Sequence, residues 1–162
     1  MKSFKYISEN TIQHLSLHDC VCSNLSYKNS SLIFEMEWME VLSTHPNNPF
    51  DKAHQSGRGR IVLFDPIIGH GNLDKWKSND STAIMLTEQK EIKNFEILEF
   101  NEEKDKNGFV LSLYGIFNNN SQFDSIKMKI RYSSSKVMFN DLNAVSWFES
   151  SDFCLENSDL HN

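Results

Sequence analysis

The chain is expected to be an all-β domain, an antiparallel sandwich or partly open barrel built from successive hairpins with at most short helices. Three observations carry that expectation. Apolar and polar residues alternate over several runs, which is the period of a half-buried strand. Turn residues separate the runs, and Asn107-Gly108 is the strongest hairpin signal. No long helical segments alternate with the strands, so a parallel sheet with crossover helices is not indicated.

The elements follow in order. Residues 4–17 form a lead-in, either a short helix with Ser8 as a weak N-cap or an extended segment. From Cys20 the period is two: Val21, Ser23, Leu25 and Tyr27 alternate with Cys22, Asn24 and Ser26. The turn residues of "YKNSSL" come next. In "LIFEMEWMEVL", Leu32, Phe34, Met36 and Trp38 share one face and Glu35 and Glu37 the other. These two runs read as a hairpin. Residues 43–59, with two prolines and two glycines, read as a loop whose length suggests function or mobility. "RIVLF" (60–64) is a short strand ended by Asp65-Pro66, and "IIGHGNLDKWKSNDST" is a second irregular segment. Residues 83–100 hold β-formers without clean alternation.

The second half is more regular. "FEILEFNEE" and "GFVLSLYGIF" flank "KDKNG" as a hairpin. "SIKMKIRY" sets Ile126, Met128, Ile130 and Tyr132 against Lys127, Lys129 and Arg131. "SSS" supplies a turn, "KVMFND" a last strand, and "AVSWFESSDFCLEN" a short helix or strand anchored by Trp147 and Phe148.

With 162 residues, the chain fits one domain over 1–162, with 1–17 as lead-in and 152–162 as a tail free to fray. Folding at this size buries roughly 70% of the extended chain's surface, so a core needs neither disulfide nor structural metal. The net charge of −6 disfavours nucleic acid as a partner, because an acidic surface releases no counterions from a phosphate backbone. Such a surface steers a basic protein instead. Cys20 and Cys22 would sit about 7 Å apart along a strand, too far for an unstrained disulfide. With Cys154 they make an odd count of three, which fits a reducing, cytoplasmic compartment. The N-terminus lacks a continuous apolar core for a secretory signal. No run is long enough to span a membrane.

Several clusters hold the residue types that chemistry needs. His14, His18, Cys20 and Cys22 are metal-ligand types, but their spacing matches no structural zinc site, so no metal or cofactor is expected. His18 could serve Cys20 as a base, although no oxyanion donor accompanies them. Asp19 suits hydrogen bonding to local backbone at a strand entrance. Arg58 and Arg60 in "SGRGR" could clamp a phosphate, but a strand follows where a phosphate loop needs a helix. His70 lies between two glycines, and Trp76 with Trp38 and Trp147 could line a pocket. Glu35, Glu37 and Glu99 belong to acidic strand faces, together with Glu96, Glu102 and Glu103. The binding candidates are therefore His18, Asp19, Arg58, Arg60, His70 and Trp76, beside the acidic surface of Glu35, Glu37 and Glu99.

"LHDCVCSNLSYKNSSLIFEMEW" resembles the opening of small bacterial all-β proteins in which a His-Asp pair precedes a strand, a polar turn follows and an aromatic-rich strand comes next. Some of these are encoded beside polymorphic toxins and are thought to be immunity proteins. The resemblance implies a genomic setting and carries over no catalytic residue. Three functions are weighed on these grounds. The first is a cytoplasmic protein-binding domain that neutralises a toxin through aromatic anchors within an acidic rim. The second is a small-molecule or carbohydrate-binding β domain, and the third a His/Cys enzyme or metal protein. The first is the expectation; oligomeric state is left open.

Overall fold

The computed structural model describes residues 3–68, 91–119 and 121–150. His70, Trp76 and Cys154 lie outside the described residues. The early strands are β1 (Tyr6–Glu9), β2 (Leu15–Ser16), β3 (Val21–Lys28), β4 (Ser31–Met36), β5 (Glu40–Val41), β6 (His54–Ser56), β7 (Gly59–Phe64) and β8 (Ile67–Ile68). The later ones are β9 (Ile92–Asp105), β10 (Gly108–Asn119), β11 (Gln122–Tyr132), β12 (Ser134–Phe139) and β13 (Leu142–Val145). Two single 3₁₀ turns cover Ile12–His14 and Trp147–Glu149. The fold is all-β, and every strand pair described is antiparallel.

The strands form two sheets. A nine-stranded sheet runs β1-β12-β7-β4-β3-β9-β10-β11-β8, and a four-stranded sheet runs β13-β6-β5-β2. Ser133 alone separates β11 from β12, although the two stand far apart in sheet order. Asp65 and Pro66 likewise separate β7 from β8. Ser134 pairs with Phe64 on one side of this point and Ile130 with Ile68 on the other, so the register passes through without a slip. The sheet therefore folds over at a corner where two strands bend together. Asp65, at φ +50, makes the bend. The Ser133 N–H donates to Phe64 O at 3.1 Å, and its hydroxyl to Asp65 Oδ2 at 3.0 Å.

The core lies inside this fold. Ile12 and Leu17 meet Phe34, Ile61, Ile97, Leu111 and Leu113 around a void of about 10 Å³. Its lining is apolar, so nothing there would hold a water. Phe34, Phe95, Phe139 and Tyr132 are the largest buried side chains. Each contributes about 1.5–3 kcal/mol from burial alone.

Four sequence expectations change. The lead-in is neither one helix nor one strand: β1, a 3₁₀ turn and β2 divide it, and Ser8 is a buried strand residue rather than an N-cap. Alternation in β3 breaks at Ser23, which has no partner between Cys22↔Met36 and Asn24↔Glu35. Cys22 and Leu25, three apart, both face the core as a result. The neighbouring β9 makes the same shift, burying Ile92 and Phe95 around Asn94 at φ +53. "LIFEMEWMEVL" is not one strand, because the chain leaves the large sheet after Met36 and joins the small one at Glu40. The 43–59 loop contains β6, whose partners β5 and β13 are too short to show a period.

The predicted hairpin forms with its turn one residue earlier. Lys106 and Asn107 are the turn residues, Gly108 follows at φ +121, and Asp105 Oδ1 accepts from the Asn107 N–H at 2.7 Å. A Cβ at Gly108 would stand 2.9 Å from Tyr132 O, so glycine serves both angle and space.

Candidate functional site

The His-Asp pair performs a local structural task. The Cys20 N–H donates to Leu17 O at 3.0 Å, closing a tight turn with Asp19 at φ +60. The Asp19 N–H reaches Ile97 O at 2.8 Å, and His18 Nδ1 donates to Leu98 O. Leu98 is the extra residue of a bulge, since Tyr114 pairs with Glu99 and Gly115 with Ile97. The pair thus pins a turn onto that bulge. Both side chains are exposed, and His18 Nε2 lies 3.4 Å from Asp19 Oδ2.

The thiols are packing groups. Cys20 and Cys22 are fully buried, and burial pushes both thiols up to about 12. Neither supplies a thiolate at neutral pH. Their sulfurs point to backbone, Cys20 to Ser16 O and Cys22 to Asn24 O. His14 instead bonds Thr44 Oγ1 at 2.9 Å. Among the described residues no group of three or more His, Cys, Asp or Glu is placed to hold a metal.

Two sets of sequence candidates neutralise each other. Arg60 on β7 faces Glu35 on β4, with Nη2 2.7 Å from Oε1. Arg58 Nε lies 3.2 Å from Glu37 Oε2. The two arginines of the expected phosphate clamp and two of the three residues of the expected acidic surface therefore form two ion pairs. Gly59 between the arginines is there for packing, because a Cβ would meet Met138 O at 2.8 Å. Glu99 is exposed on the outer face of β9.

Two titratable residues, buried His45 and half-buried Glu102, take inward roles that pattern does not show. His45 accepts the Asn47 N–H at Nδ1, 3.1 Å away. Its proton is then on Nε2, which donates to Ser8 Oγ at 3.2 Å. A base that activates serine needs the opposite polarity, so Ser8 and His45 are not a nucleophile and base. Burial, then the nearby His14, pushes His45 down to about 4. Glu102, on the inner side of β9, accepts the Tyr132 hydroxyl. Burial raises its pKa above the ordinary 4.5, against that hydrogen bond and His14. Neither residue belongs to a periodic run that marks it.

A surface of another kind stands on the small sheet. Phe50, 45% exposed, stacks on His54 with ring centroids 4.1 Å apart. His54 pairs across the sheet with Val145 of the outer strand β13. Ser146 is buried, so Val145 and Trp147 flank it outward, and Trp147 is 49% exposed. Trp147 meets Phe148 edge-on at 5.6 Å. The expected anchor of the C-terminal segment is thus a surface ring, and polar groups do the anchoring. Ser146 Oγ donates to the buried carboxylate of Glu40, which also accepts from Gln55 Nε2 at 3.2 Å. Glu149 Oε2 accepts the Ala53 N–H at 2.6 Å. Exposed Asp51 follows Phe50, and exposed Asp141 precedes β13, with Lys52 as the nearby cation. The arrangement presents half-exposed aromatic rings, with carboxylates close by in sequence. Comparison with family models, curated proteins and solved structures gives no match to this chain.

Proposed function

We propose that the chain is a protein-binding domain whose docking surface is Phe50, His54, Val145 and Trp147. The observation that supports this most is the exposed Phe50–His54 stack continued by Val145 and Trp147 on a hydrogen-bonded base. Large aromatic side chains are among the groups that concentrate binding energy at an interface. The acidic margin of Asp51 and Asp141 favours a basic partner. The likeness of residues 17–38 to the opening of small bacterial all-β proteins, some of them thought to be toxin-immunity proteins, extends the proposal to a cytoplasmic toxin-neutralising role, with the toxin as that partner.

The test is calorimetric titration against the toxin domain encoded beside the gene. Trp147→Ala and Phe50→Ala should each weaken binding at least tenfold while the melting temperature stays near wild type. Wild-type affinity in both variants would remove this surface from the proposal. Absence of binding to any adjacent gene product would remove the immunity role.

A further inference from the structure

The outer face of β9, β10 and β11 carries an ordered pattern of charge. Glu99, Tyr114 and Lys127 form one rung, since Tyr114 pairs with both flanking residues. On the same face Ser112 lies between Asn101 and Lys129, and Val110 between Glu103 and Arg131. Acid therefore runs along β9, base along β11, and neutral side chains along β10. A groove of about 260 Å³ opens beside Tyr114, lined by Glu99, Asn101, Ser112 and Lys127 among others. That volume is under the roughly 300–1,000 Å³ of small-molecule pockets. It suits a side chain.

At the hairpin end Arg131 of β11 reaches across β10 to Asp105 of β9, with Nη2 2.9 Å from Oδ2. Further along, Glu99 and Lys127 stand on flanking strands about 10 Å apart and form no ion pair with each other. Lys127 Nζ instead sits over the Tyr114 ring at 5.5 Å. Glu99 forms no ion pair with any described residue.

We propose that this face binds a second copy of the chain about a two-fold axis parallel to β10. A rotation about that direction exchanges the two flanks. It brings Glu99 of one copy over Lys127 of the other, twice, with the Tyr114 rings meeting at the axis. An axis across the strands would set acid on acid. The pattern is thus self-complementary in one orientation, as an isologous interface requires. Three strands by eight residues give a footprint of about 400 Å² per copy. That places the dimer in the weak, transient class.

Sedimentation equilibrium in low salt tests this on the full chain. Wild type should dimerise in the micromolar range, weakening as salt screens the pairs. Glu99→Lys or Lys127→Glu alone should weaken the dimer at least tenfold. The double exchange should restore it to within about threefold of wild type, because the rotated copy carries the same exchange. Glu99 and Lys127 are both exposed, and matching melting curves confirm folding. Independently, Ser112→Cys in a Cys154→Ser background should be joined by a short bismaleimide, because Ser112 meets its own equivalent at the axis. A monomeric wild type at several hundred micromolar overturns the proposal, as does a double exchange no better than the single ones. Either outcome leaves the aromatic surface of the small sheet untouched.

Discussion

Glu35 on β4 meets Arg60 on β7 at 2.7 Å, and just beyond those strands Glu37 meets Arg58 at 3.2 Å. On β9 and β11, Glu99 and Lys127 share a rung and do not meet. Both arms of the large sheet show acid and base on their outer face. The difference is strand order. Neighbouring strands are about 4.8 Å apart and Glu35 and Arg60 pair directly, while second neighbours stand twice as far, so Arg131 reaches Asp105 at the hairpin end but Glu99 and Lys127 stay apart. Residue type tells which face a charge occupies. Topology tells whether it is spent internally or left for a partner.

The arms also differ beneath their charges. Each rests on a glycine pressed against its surroundings. A Cβ at Gly115 would lie 2.2 Å from Glu96 O and 2.4 Å from the Phe95 ring. At Gly59 it would meet Met39 Cε at 2.4 Å and Met138 O at 2.8 Å. Both side chains are fully buried, but the contact at Met39 is the end of a flexible chain, while Phe95 presents a stiff ring. Gly115→Ala should cost about 3 kcal/mol and Gly59→Ala somewhat less, read as shifts in urea midpoint. A Gly115→Ala protein as stable as wild type would break the description of the unpaired arm.

Opposite responses to pH come next. His45 sits against β1 and β12, with its ring 5.7 Å from Phe139. Its ordinary value of 6.5 falls to about 4 in the fold. Stability from this group is full above pH 6.5 and is lost as the pH falls through 4, a swing of about 3 kcal/mol. His45→Gln should flatten the acid limb of a stability–pH curve, though it costs stability near neutrality. Glu102, in the other arm, is shifted upward. Its contribution is full below 4.5 and is lost as the pH rises through the folded value. Glu102→Gln should remove that loss and leave the acid limb to His45. An unchanged slope in both variants would show that the arms titrate alike.

The smallest effect addresses the charges directly. Arg60→Ala removes a pair about one-third exposed and should cost about 0.5–1 kcal/mol. Lys127→Ala should change monomer stability by less than about 0.5 kcal/mol. Thermal melts at dilute concentration sharpen the comparison. Equal losses would mean that Lys127 is already engaged within its own chain.

The sequence shows the inner and outer faces of β11 directly, because Ile126, Met128, Ile130 and Tyr132 keep strict alternation and all are buried. It also shows the β9–β10 hairpin. The bulges at Ser23, Asn94 and Leu98 leave no such trace, since none lies at a glycine and each shifts a period by one. The expectation that Arg58 and Arg60 bind an anion, and that Glu35 and Glu37 face a partner, rests on residue type alone. Their mutual pairing depends on which strands become neighbours, and that is set over long range. The small sheet is illegible for another reason. Strands of two to four residues are too short for a pattern, so Trp147 reads as an anchor when Ser146 and Glu149 hold the segment.

One feature of the fold bears on how the chain is made. β1 has β12 as its strand partner, and the Lys5 N–H reaches Asn140 Oδ1 across 135 positions. A ribosome adds about 5–20 residues per second, so β1 emerges roughly 7–27 s before the strand that completes it. For that interval the nascent chain carries an open strand edge, with Tyr6 still lacking its ring partner Phe139. Among the described strands only β13 is made later than β12. Translation speed and chaperone access would then set the yield of folded protein more than the stability of the finished sheet.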